Sequence, residues 1–204
     1  MSTLRVAPAD AVEQLAWSLG WNGGLLPVFV NGRAEPALWK GWRDGPGLHR
    51  LAAHMDLQES AEVSVGLPAV NGCVLASTVL WASVRGSEQV ERVRTFRRKP
   101  SIVLKLGAGS ERLLLWLLRE PVDVGLVESA NRKLAYALRA VQKGARAEDL
   151  RVPLPGTFLR LGRARPAPIT VTRLDLDAVF SRRELVGGLK DPPPADAWRE
   201  RQKR

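Results

Sequence analysis

The stretch SIVLKLGAGSERLLLWLL, Ser101–Leu118, determines how this chain of 204 residues folds. Its two apolar segments, Ser101–Leu106 and Arg112–Leu118, are separated by Gly107-Ala108-Gly109-Ser110. Apolar runs of this length around a short glycine-containing turn predict an antiparallel β-hairpin. The remaining elements extend from this hairpin in both directions along the chain.

Helical and strand patterns alternate on both sides of the hairpin. Apolar spacing of three and four predicts helices at Pro8–Leu19, Leu48–Met55, Ser87–Phe96, Glu128–Lys143 and Val179–Leu189. Short apolar runs predict strands at Leu25–Val30, Val63–Leu67, Cys73–Val84 and Ile169–Leu174, the second and third lying around the turn Pro68–Gly72. The mixture predicts an α+β fold (a two-layer α/β arrangement) with a largely antiparallel or mixed sheet flanked by helices. We expect one domain at 1–190 and an exposed, proline-rich basic tail at 191–204.

The composition excludes several classes of protein. The chain is 45% apolar and 25% charged, which is typical of a soluble globular protein. The lone Cys73, which its apolar surroundings predict to be buried, excludes an internal disulfide, and with only His49 and His54 we expect no metal site. No apolar run is long enough to span a bilayer, and Met1–Asp10 has no signal-like segment, so we expect a cytoplasmic protein without membrane contact.

The charge indicates a partner. The net charge is +10, the pI is about 10.7, and 24 of the 31 basic residues are arginine. Arginine binds phosphate oxygens in pairs and stacks on bases, so a basic domain with seven tryptophans favours nucleic acid. The alternative is a source organism that simply uses arginine in place of lysine.

Five segments, in this order and spacing, form a recognisable series: Leu80–Gly86, Lys99–Val103, Leu115–Val122, Ala130–Ala135 and Leu154–Phe158. They resemble the primase–polymerase domain of the archaeo-eukaryotic primase superfamily, in the versions carried by plasmids, phages and other mobile elements. The resemblance covers about Leu80–Leu185, and Trp39–Trp42 more loosely. It implies a fold like that of the primase small subunit, with an RRM-like core.

The departures from the family's pattern fall on the residues that perform its chemistry. The two metal-binding aspartates fall at Ser83 and Arg85, and the hairpin histidine falls at Leu113, or at Glu111 if the turn is longer. Nucleotidyl transfer needs two divalent ions held by carboxylates, and neither a hydroxyl nor a guanidinium replaces such a ligand. Asp175 and Asp177 are candidates for a remaining third acid; otherwise they are ordinary strand-end or helix-capping aspartates.

The resemblance and its departures together predict a catalytically inactive, primase-like protein of DNA replication that binds single-stranded or primer-template DNA without a cofactor. The candidates for phosphate contacts are Arg85, Arg97, Arg98, Lys99, Lys105, Arg112, Arg160, Arg163 and Arg165. Arg97, Arg98 and Lys99 equally fit a solvated helix end. Trp39 and Trp42 are candidates for base stacking, or for ordinary packing.

Two alternatives remain open from the sequence. An active primase–polymerase would use Mg²⁺ or Mn²⁺ and relocated acids, with Glu88, Glu91 and Glu111 converging on Asp175 or Asp177. A scaffold would dock onto a helicase or an active primase in trans, with the basic tail as its tether.

Overall fold

The computed structural model describes residues 8–20, 24–35, 38, 40–41, 47, 62–140, 144–159 and 167–193. The helices are α1 (Pro8–Gly20), α2 (Ser87–Thr95), α3 (Val124–Ala137) and α4 (Arg182–Val186), with a 3-10 turn at Ala147–Asp149. The strands are β1 (Leu25–Leu26), β2 (Val28–Val30), β3 (Arg33–Ala34), β4 (Lys40–Gly41), β5 (Val63–Val65), β6 (Ala76–Val84), β7 (Ile102–Leu106), β8 (Arg112–Asp123), β9 (Val152–Pro153), β10 (Phe158–Leu159), β11 (Ala167–Leu174) and β12 (Val179–Phe180). The predicted helix Leu48–Met55 lies outside the described residues.

The large sheet is built around the predicted hairpin, β7–β8. Its order is β10-β11-β7-β8, with β6 on the other side of β8 and the short β12 parallel to β8. Strands β6 and β7 both run antiparallel to β8, so β6–α2–β7 is a crossover with β8 between its two strands. This split β-α-β arrangement is the core of ferredoxin-like folds. The predicted α+β class is confirmed.

The segments predicted around Pro68–Gly72 belong to different sheets. Strand β5 lies in a smaller antiparallel sheet of order β3-β2-β5-β9, whereas β6 is in the large sheet. Between them Val70 and Cys73 form a bridge around Asn71-Gly72, both with positive φ (51° and 78°), as a type I′ turn requires. Cys73 is exposed, contrary to the prediction, because it lies in this turn and not in the strand.

Three predicted boundaries are wrong for local reasons. Helix α3 begins four residues early because the side chain of Asp123 accepts a hydrogen bond from the Gly125 N–H (2.7 Å). The helix ends before Arg139, whose φ is +53°. Near the C-terminus, a capping box between Ser181 and Glu184 starts α4 only after the short strand β12. Beyond α4 the chain contacts α3 through an ion pair of the exposed Asp191 with Lys133 (2.8 Å).

A buried hydrogen-bond network holds β6 against α3. The Trp81 backbone N–H donates to the Asn131 side-chain oxygen (2.9 Å), and the Asn131 amide donates to the Ala145 carbonyl (3.0 Å). The Trp81 indole N–H donates to the Gly144 carbonyl (2.7 Å). Asn131 is 1% exposed and Trp81 4%, so these bonds satisfy polar groups that water does not reach. Motif residues of the primase resemblance therefore serve here as structural supports.

Candidate nucleic-acid interface

Strand register brings two of the replaced motif positions side by side. Ser83 on β6 lies directly opposite Leu113 on β8, and Leu113 lies opposite Leu104 on β7. Directly paired residues of antiparallel strands project to the same face of a sheet. Ser83 is partly exposed, whereas Leu113 is 4% exposed. A hydroxyl and a buried alkyl group thus adjoin where the resemblance implies a carboxylate and an imidazole.

Arg85 and Glu111 continue this face beyond the ends of β6 and β8. The Arg85 guanidinium donates to the Glu111 carboxylate at 2.8 Å, with the two side chains 66% and 19% exposed. The Arg85 backbone N–H donates to the side chain of Gln89, which also donates to the Arg139 carbonyl (2.7 Å). The Gly86 N–H donates to the Ser110 hydroxyl (2.9 Å). The segment that carries Arg85 is therefore tied to α2, to the hairpin turn and to the end of α3.

The residues at these positions do not fit a pair of divalent cations. Ser83 offers a neutral oxygen, Leu113 offers none, and the Glu111 carboxylate already binds a guanidinium. A unit charge 4 Å from Arg85 is repelled by roughly 1–4 kcal/mol, and a divalent ion by twice that. Across the described part of the chain, no three His, Cys, Asp or Glu side chains lie close enough together to hold a metal ion.

Asp175 lies away from this face and has partners of its own. Its carboxylate accepts hydrogen bonds from Arg173 (2.6 Å) and from the Ala178 N–H (3.2 Å). Arg173 pairs with Val103, in the row next to that of Leu104, and so projects from the face opposite Ser83. Strand β11 is also three strand spacings from β6, about 14 Å. Asp175 thus lies in a turn at the end of β11, and Asp177 lies exposed in the same turn.

The other acids of the enzyme alternative are also bound to arginines. Glu88 accepts from Arg139 (2.8 Å) and from Arg92 (3.3 Å). Glu91 pairs with Arg94 (3.1 Å) on the exposed side of α2. These acids are held in ion pairs, and they do not converge with Glu111 or Asp175 on one point.

The sheet divides the basic candidates between its two faces. Lys105 on β7 lies directly opposite Arg112 on β8, in the row next to Ser83 and Leu113 and hence on the face opposite Arg85. The Arg112 guanidinium donates to the carbonyls of Gly109 and Glu111, and burial lowers its pKa. Neither cation makes an ion pair with another described residue. Like charges placed directly across two strands repel, so this pair disfavours the fold slightly.

The three residues of the cluster Arg97, Arg98 and Lys99 have different surroundings. The Lys99 ammonium donates to the Arg94 carbonyl at the end of α2, as the helix-end alternative predicts. The Arg98 carbonyl accepts from the Trp116 indole N–H (2.8 Å), which holds the connection onto the sheet. Arg97 is exposed. The remaining candidates, Trp39, Trp42, Arg160, Arg163 and Arg165, lie outside the described residues.

Sequence reasoning missed two residues of interest. Gln89, which bridges Arg85 and Arg139, carries no signal beyond its place in a polar helix. Trp17 is 45% exposed, and its signal was present: it falls off the apolar stripe of α1 formed by Val12, Leu15 and Leu19.

The fold is similar to those of solved primase structures. The chain matches the primase–polymerase domain of cyanophage S-2L with a TM-score of 0.59 at 12% identity, over 89% of this chain and 97% of that one. It matches the catalytic domain of primase RepB′, solved in complex with initiator DNA, with a TM-score of 0.65 at 12% identity over 97% and 98% of the two chains. A further RepB′ structure gives a TM-score of 0.61, the match covering 66% of that chain. No protein-family model and no curated protein matches the sequence.

The resemblance drawn from five segments is thus confirmed at the level of fold. The chain has the fold of the catalytic domains of phage and plasmid primases. Among the described helices, none is long and apolar enough to cross a membrane.

Proposed function

We propose that this protein is a non-catalytic, DNA-binding relative of replication primases that contacts phosphate through arginine and not through metal ions. One observation carries the proposal: the Arg85–Glu111 ion pair stands beside Ser83 and Leu113, where the resemblance implies carboxylate and histidine ligands. The primase fold, the net charge of +10 and the DNA complex of a structural neighbour support it.

Arg85 has the geometry for a phosphate contact. A guanidinium has five N–H donors, and the bond to Glu111 uses one of its nitrogens, NH2. The side chain is 66% exposed, so its other donors face solvent. Glu111 holds the guanidinium in place and offsets part of its charge. A phosphate therefore gains a directed contact but competes with a carboxylate for it.

Lys105 and Arg112 support a second, independent electrostatic contact on the opposite face. Since they repel each other and have no acidic partner among the described residues, an anion placed between them relieves that repulsion. We propose that they bind duplex or single-stranded backbone without base specificity. Partners in trans, a helicase or an active primase, fit the accessory role.

Two variants that each remove one charge test the proposal, and each has a matched control. Glu111→Gln frees Arg85 and should tighten DNA binding several-fold, whereas Arg85→Gln should weaken it and lower the salt slope by 0.7–0.9. The controls are Glu91→Gln and Arg94→Gln, which change the same net charge in an exposed pair on α2. The measurement is fluorescence anisotropy of labelled single-stranded DNA at several KCl concentrations.

If each variant binds DNA with the same affinity and salt slope as its control, the proposed phosphate contact of Arg85 is contradicted. The proposed lack of catalytic activity has a separate test, which is template-dependent incorporation of a labelled nucleotide with Mn²⁺. We expect none at any metal concentration, because the candidate acids Glu111, Glu88 and Glu91 are each bound to an arginine. Incorporation that is lost on mutation of Glu111 would establish the enzyme alternative.

A further inference from the structure

An apolar groove lies where α1, β8 and β12 meet. It has a volume of about 280 Å³ and is lined by Trp17, Ser18, Leu117, Leu118, Arg119 and Val179. Val179 pairs with Leu117, so the floor of the groove is sheet, and one wall is the tryptophan of α1. Leu117 is four residues from Leu113, about 13 Å along β8 from the paired Ser83 and Leu113.

Trp17 is not held in place by the fold as the other described tryptophans are. The indole N–H groups of Trp81 and Trp116 donate to backbone carbonyls, and these two residues are 4% and 0% exposed. Trp17 is 45% exposed and, within the described residues, its indole N–H makes no hydrogen bond. Burial of a tryptophan is worth several times the burial of a small side chain, so an open ring leaves that contact area free for a ligand.

The rim of the groove on the β8 side is basic. Arg119 is 57% exposed and lies 3.5 Å from the carboxylate of Glu184. Hydrogen bonds from Ser181 lower the pKa of Glu184, and the charges of Arg119 and Arg98 lower it further. The guanidinium of Arg119 thus lies beside an exposed aromatic ring, with one acid as its partner. On the α1 side the exposed Glu13, one turn before Trp17, repels anions.

We propose that this groove binds one unpaired base of a single-stranded nucleic acid, stacked on Trp17, with an adjacent backbone phosphate on Arg119. This inference rests on the proposed DNA-binding function and adds a stacking site remote from Arg85. An aromatic platform with arginines on one side is how proteins bind single strands without base preference. The volume, at the low end for ligand cavities, fits one planar ring but not a helix of a partner protein.

The test compares two oligonucleotides of the same length, oligo-dT and an abasic strand that keeps the phosphates. Trp17→Ala should lower the affinity for oligo-dT by about 5-fold to 100-fold, leave the salt slope unchanged and leave binding of the abasic strand unaltered. Trp17→Phe, which keeps a ring, should restore most of the affinity. Arg119→Gln should weaken binding of both strands and lower the slope by about 0.7.

The controls separate this inference from the proposed function. Glu13→Gln, on the same side of α1, should not weaken binding, and thermal unfolding of each variant reports whether it folds. If Arg85→Gln weakens DNA binding while Trp17→Ala and Trp17→Phe both bind as the wild type does, the stacking site is overturned and the DNA-binding function stands. If the wild type binds neither strand at low salt, both proposals fail. Equal losses by Trp17→Ala on oligo-dT and on the abasic strand would also overturn stacking.

Discussion

Trp81 and Ser83 lie two residues apart on the same strand, and their surroundings have opposite characters. Trp81 lies in the protein interior, where it donates hydrogen bonds to Asn131 and Gly144. Ser83 lies opposite Leu113, the position at which the family resemblance implies a histidine ligand. The interior side of this segment is a hydrogen-bonded network, whereas its other side carries a hydroxyl and a guanidinium where the resemblance implies carboxylates.

Energetics explain why the two regions differ. Losing one partner of a buried hydrogen bond costs the full desolvation of the other, about 1–3 kcal/mol per group. A replacement at a partly exposed position such as Ser83 or Arg85 usually changes the free energy of unfolding by no more than about 0.5 kcal/mol. Sequence change can therefore accumulate at the chemical positions of a primase fold without loss of the fold, and the charge pattern there can become suited to metal-free contacts.

Substitution of Asn131 should have the largest effect on stability. Asn131→Leu removes both amide bonds and leaves the Trp81 N–H and the Ala145 carbonyl unpaired in the interior. We expect a loss of about 3 kcal/mol in the free energy of unfolding, measured by urea denaturation. The neighbouring Arg132→Ala, which removes only a pair with Glu128, should cost less than about 1 kcal/mol. Similar losses for the two variants would contradict a structural role for the network.

A smaller effect is expected from the indole of Trp81. Trp81→Phe keeps an aromatic ring but removes the N–H that donates to the Gly144 carbonyl (2.7 Å). The expected loss is about 1–2 kcal/mol, from the unpaired carbonyl and a small cavity. Thermal unfolding measures it, and an unchanged midpoint would show that water replaces this bond.

The Ser83 side should tolerate change with little effect on stability. We expect Ser83→Ala to stay within about 0.5 kcal/mol of the wild type, and Arg85→Gln to cost less than about 1 kcal/mol because the ion pair is largely exposed. Urea midpoints of both variants, compared with Asn131→Leu, measure the contrast directly. A loss above 2 kcal/mol at Ser83 would mean that this face, too, is held by interior packing.

The smallest effect concerns pH and lies outside both regions. Hydrogen bonds from Ser181, followed by the charges of Arg119 and Arg98, lower the pKa of Glu184 below its ordinary value of 4.5. The ionised carboxylate therefore adds stability above the unfolded-state pKa, and this contribution is lost as the pH falls through the folded-state pKa. NMR titration of Glu184 should show the lowered pKa, and Ser181→Ala should raise it toward 4.5. An unshifted titration in the wild type would contradict the capping box.

The hairpin and most of the described helices could be predicted because their signals are local, whereas the RRM-like core was implied only by the family resemblance. Apolar spacing and the turn at Gly107–Ser110 are readable from a few neighbouring residues. The start of α3 could not be placed, because it depends on one side-chain cap at Asp123. The partner of Arg85 could not be chosen either. Glu111 reaches it only through the register that sets β6 against β8, which the sequence does not state.

The proposed phosphate site is tested most directly by the dependence of DNA binding on divalent metal. The measurement is anisotropy of labelled single-stranded and duplex DNA at two salt concentrations, each with Mg²⁺ and with a chelator. We predict salt-steep binding that the chelator leaves unchanged, apart from the competition of Mg²⁺ for phosphate. Binding that needs Mg²⁺ and disappears with the chelator would contradict a metal-free contact through Arg85.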